Sequence, residues 1–166
     1  MNRIRKSSVD EIVRCFEPIV GKRPWRARLG WGSFLTFEFG LPKKKVQGHW
    51  HGVWHLWIYM CDWDLAVNRH ALNSEDSRTK IDRFVRVLEQ KPLTGIKVDG
   101  PVTSFQFGGH TTLRCQPMAD GDLDSDSPYW MLFMPDEKVL EYVPGVRVKI
   151  GPSGELAPAH SAAVSS

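Results

Sequence analysis

Cysteine is scarce in this 166-residue chain, and its three cysteines form no C-x-x-C pair. Cys15, Cys61 and Cys115 are odd in number and widely spaced. That pattern excludes a disulfide framework and a cysteine-rich zinc site, and it predicts buried thiols in a reducing compartment. The expected location is therefore the cytoplasm. Also missing is any apolar run of membrane-spanning length, so no membrane partner is expected. The basic residues near the N-terminus have no apolar segment behind them, and no secretory signal is read there. There is no phosphate loop, dinucleotide fingerprint, G-x-S-x-G or H-E-x-x-H motif. These absences remove the best-marked routes to nucleotide chemistry, acyl transfer and zinc hydrolysis.

What is present is ordinary for a globular chain: 42% apolar and 25% charged residues, with a net charge of +3. Basic residues gather at Lys22 to Arg28 and at Lys43, Lys44 and Lys45, and acidic ones at Asp120 to Asp126. Such polarity can steer a charged partner. The length suits one domain, read as 1–150, with a disordered tail over 151–166.

A passage occurs twice, over about 8–65 and 77–150. Ser8 with Glu11 reads as a capping box, and Val9, Ile12, Val13 and Phe16 share a helical face. Ile81, Phe84, Val85 and Leu88 repeat that spacing after Ser77. Pro18–Gly21 resembles Pro92–Gly95, an offset of 74. Thr36–Gly40 resembles Ser104–Gly108, an offset of 68, and Trp54–Leu56 resembles Trp130–Leu132, an offset of 76. The copies predict an α+β fold: two similar α-β-β-β halves, two main helices and a largely antiparallel sheet. Trp25–Leu29 and Ser33–Phe39 should pair about the Gly30–Gly32 turn. A polar loop carrying the three lysines should follow. Trp50–Leu65 reads as one central strand, and 66–76 as a linker.

Chemistry concentrates in three places. His49, His51 and His55 share a strand face, and the spacing of His49 and His51 allows both to ligate one metal ion. His55 lies about two further pleats on, so a third ligand is expected from His110 or Asp62. Asp122 and Asp124 belong to an alternating acidic loop that lacks the glycine and twelfth-position acid of a calcium hand. That loop offers a partner-binding surface. Trp31, between two glycines, is the tryptophan expected to be exposed. With Lys43, Lys44 and Lys45 it is a candidate contact for a partner.

Gly32 to Gly40, Trp54 to Trp63, and Leu93–Gly95 through Phe105–Gly108 resemble small standalone bacterial proteins of unknown function, some of them similar to toxin-immunity proteins. The resemblance spans about 8–150 and implies an α+β scaffold with no catalytic residue. The leading expectation is a non-enzymatic cytoplasmic protein-binding module, immunity- or antitoxin-like, with another protein such as a toxin as partner and no cofactor. The alternatives are a metal-binding protein or metal-dependent enzyme using the His49/His51 region, and a single-stranded nucleic-acid binder.

Overall fold

The computed structural model describes residues 6–119, 127–144 and 147–153. Two helices, α1 (Lys6–Phe16) and α2 (Arg78–Val85), accompany eleven strands. The first five strands are β1 (Trp25–Leu29), β2 (Leu35–Val46), β3 (His49–Ile58), β4 (Asp62–Val67) and β5 (His70–Asn73). The rest are β6 (Leu93–Asp99), β7 (Val102–Phe107), β8 (Thr111–Gln116), β9 (Trp130–Phe133), β10 (Lys138–Val143) and β11 (Arg147–Pro152). The fold is α+β with antiparallel pairing throughout, as the pattern of the sequence predicts. The strands divide between two sheets, ordered β1-β2-β3-β9-β10-β11 and β5-β4-β8-β7-β6.

Each half lays down a helix and a three-stranded meander, then sends its next hairpin into the other half's sheet. After β1-β2-β3, strand β4 crosses to pair with β8. After β6-β7-β8, strand β9 crosses to pair with β3. The two crossings explain why Trp50–Leu65 is not one strand. It breaks at Tyr59–Met60, whose amides turn to the carbonyls of Tyr129 and Pro128. The 66–76 segment is not a linker either, since it completes β4 and forms β5.

Burial gives the register between the halves. Ile12, Phe16 and Ile19 match Ile81, Val85 and Leu88 at an offset of 69. Phe37 and Phe39 match Phe105 and Phe107 at 68, and Trp63 matches Trp130 at 67. The proline match at 74 and the Trp54 match at 76 fall outside this line. Their residues look alike but occupy different places. Each crossed tryptophan bonds back to its own half: Trp63 Nε1 donates to the Ser33 carbonyl at 2.7 Å, and Trp130 Nε1 to Thr103 Oγ1 at 3.0 Å.

One core joins both sheets and both helices. Phe16 from α1 packs its ring edge-on to Trp130, with centroids 5.5 Å apart, and Phe105 from the second sheet lies 5.7 Å from Trp130. At the helix starts the sequence reads unequally. Ser77 caps α2, its side chain accepting from the Lys80 amide. Ser8 lies inside α1, not at its cap.

The lysine segment is not a loop. Strand β2 continues through Lys43–Lys45 and returns into β3 at Gln47–Gly48. Both turn residues have positive φ, 49° and 80°, as a tight hairpin turn requires. The register shifts twice on the way, between Phe39 and Pro42 and between Pro42 and Lys44. Gly40, at φ 76°, makes the first shift possible.

Candidate functional site: Glu38, His51 and His55

Strand β2 alternates between the core and the opposite face of its sheet. Leu35, Phe37 and Phe39 enter the core, which leaves Thr36 and Glu38 on the other side. Tyr59, Met131 and Val139 form a second apolar cluster, with Phe34, Trp57, Met60 and Phe133 packed against it. Glu38 stands opposite His55, and His55 opposite Phe133. A carboxylate is therefore set into a largely apolar surface, with 2% of its side chain exposed.

Three donors meet that carboxylate. His51 Nδ1 lies 2.8 Å and His55 Nδ1 2.6 Å from Glu38 Oε1. The Gly52 amide donates to Glu38 Oε2 at 2.8 Å. Burial is the largest single influence on Glu38 and would raise its pKa. The hydrogen bond and charge of His55, the Gly52 amide and the charge of His51 together outweigh it and hold the pKa below the ordinary value. Glu38 is thus an anion and can only accept hydrogen bonds. In the metal-free protein each imidazole donates from Nδ1; a metal ion taking those two nitrogens as ligands would require the other tautomer, with the proton on Nε2.

His51 is held toward its neutral form. Burial lowers the His51 pKa; Glu38 opposes this, and the positive charges of His55 and Arg26 add to the lowering. Neutral imidazole is the form that ligates metals. The His51 and His55 rings lie 5.2 Å apart. One donor atom from each of Glu38, His51 and His55 falls within 4.8 Å of the other two. Two imidazoles and a carboxylate suit zinc, iron, nickel or copper better than calcium or magnesium, which prefer all-oxygen sites. The His51 side chain is 33% exposed, so the site is open to solvent on one side. Three protein ligands with an open position are the pattern of a site that can also hold water or a substrate atom. Beside the cluster, Trp57 buries its indole N–H with no partner, alone among the described side chains.

The residues singled out in the sequence separate here. His51 is in the cluster; His49, at the start of β3, is exposed and outside it. The other two members, Glu38 and His55, stand where His49 and a third ligand from His110 or Asp62 were expected. His110 sits in the exposed β7–β8 turn, and Asp62 accepts from the Ala119 amide and from Ser74 Oγ. His55 reaches the site as the direct cross-strand partner of Glu38, whereas His51 lies beyond the two register shifts, past the point where the Gly52 backbone closes on Phe39. Trp31 is 78% exposed. Lys43 binds the Pro135 carbonyl at 2.6 Å and pairs with Glu137, whereas Lys44 and Lys45 are exposed on β2. Asp122 and Asp124 lie outside the described residues. Among the described residues no helix is long and apolar enough to cross a membrane. All three cysteines are free thiols, and burial drives the Cys115 thiol well up.

No family model, curated protein or solved structure matches the chain.

Proposed function

We propose that the protein binds one transition-metal ion through Glu38, His51 and His55. The observation carrying this reading is the convergence of two imidazole nitrogens on one oxygen of a buried, ionised carboxylate. One donor and the Gly52 amide would already satisfy Glu38 as a structural acid. A second imidazole brings a further nitrogen ligand to the same point and adds repulsion whenever both rings are charged. Isothermal titration with zinc should give one site per chain. Glu38→Gln and His55→Ala should weaken it more than the roughly 10- to 100-fold that follows loss of an outer hydrogen-bond partner. Unaltered affinity in both variants would sink the assignment.

A second reading, protein binding, is favoured by the pinning of Trp31. Arg78 donates to the carbonyls of Gly30 and Gly32 on either side of it. An exposed tryptophan on a braced turn loses little freedom on docking. The expected partner is a protein with an apolar pocket, as in an immunity-type complex. A stable complex with the product of an adjacent gene, weakened about tenfold or more by Trp31→Ala, would support it. Equal binding by that variant would count against Trp31 as the anchor.

A further inference from the structure

Positive charge surrounds the Glu38–His51–His55 site without a compensating acid. Lys44 is the cross-strand partner of His51, and such partners project from the same face of a sheet. Arg26 comes from β1, yet its guanidinium donates to the Trp50 carbonyl on β3 at 3.2 Å, beside His51. Its charge is among those acting on the His51 ring. Among the described residues no carboxylate forms an ion pair with Arg26 or Lys44. The one acid at the site, Glu38, is engaged by the two imidazoles and Gly52.

A divalent ion there would give three positive centres on three adjacent strands and one buried carboxylate. Such a field selects an anion. A phosphate monoester fits better than a carboxylate, because its dianion offers three terminal oxygens for three separate cations. Guanidinium and ammonium groups are the usual partners of those oxygens. The ester's organic part would face Phe133, whose ring lies 5.5 Å from that of His55.

We propose that the metal held by Glu38, His51 and His55 takes a phosphate monoester as its outside ligand, with Arg26 and Lys44 binding the phosphoryl oxygens. This rests on the metal-site reading above.

The test uses the full chain loaded with cobalt(II), whose visible absorption band reports both occupancy and ligand exchange. Phenyl phosphate is titrated at saturating cobalt, with phenol as the uncharged control. The expected result is a saturable change in the band with phenyl phosphate and none with phenol. In an Arg26→Gln/Lys44→Gln double variant, whose metal ligands are intact, the apparent affinity should fall about tenfold or more. Retention of the cobalt band in that variant shows that the site still forms. A wild-type band indifferent to phenyl phosphate, or an equal affinity in the double variant, overturns the phosphate proposal alone. Absence of any cobalt band overturns the metal reading and this proposal with it.

Discussion

Two buried glutamates on one sheet face opposite situations, and the contrast isolates what partners do for a buried charge. Glu38 has three donors and a pKa held below the ordinary value. Glu141, 5% exposed on β10, has its pKa raised by burial, with the charge of Lys149 on the neighbouring strand opposing. A carboxyl with a raised folded-state pKa binds its proton more tightly when folded. It therefore costs stability above that pKa, and the cost disappears as pH falls toward the unfolded value. Glu141→Gln should be more stable than the parent chain at pH 7, and the gap should narrow toward pH 4.5 in urea unfolding. A gap that widens on acidification would contradict this. Neither glutamate stands out by type in the sequence. Period-two alternation places Glu38 on the face opposite Phe37 and Phe39, and an acid inside that aromatic strand was the available signal. What alternation lacks is cross-strand register, which alone brings Glu38 against His55. For the same reason spacing joins His49 to His51, while the structure joins His51 to His55.

At the scale of elements, the site depends on how closely β2 and β3 approach. A Cβ built on Gly52 would meet the Phe39 carbonyl oxygen at 2.5 Å, a backbone contact that no side-chain rotation relieves. The Gly52 amide also holds Glu38 Oε2. Gly52→Ala should cost about 1–3 kcal/mol in denaturant unfolding, as overpacking does, and should also weaken zinc binding. A neutral effect on both would mean that the strands have room to separate. The helices and the second meander were legible because their apolar periodicity and bounding glycines and prolines are strong. The break between β3 and β4 was not. Tyr59, Met60 and Cys61 carry no glycine or proline, and the chain turns there because distant carbonyls at Pro128 and Tyr129 receive its amides. The Lys43–Lys45 segment misled in the other direction. Its charge suggests a loop, yet lysines on a paired ribbon keep their charged heads in water at little cost.

The whole molecule is two matched halves that exchange their fourth strands. The repeat was visible, but the exchange was not, because a crossing strand resembles a continuing one until its partner is known. Exchange has an energetic consequence. Neither sheet is complete without a strand from the other half, and Trp130, fully buried, packs against Phe16 and Phe105 while bonding Thr103. We infer that the halves do not unfold separately. Calorimetry should show one transition with equal calorimetric and van't Hoff enthalpies, whereas two resolved transitions would show independent halves. The same exchange sets β9 beside β3, so Phe133 from the second half covers His55 in the first. The candidate metal site thus lies on a surface that both halves build. Its most direct test is anomalous diffraction at the zinc edge from crystals grown with zinc. The expected result is a single peak within bonding distance of Glu38, His51 and His55. No peak there, or a peak on His49 without Glu38, would contradict the assignment.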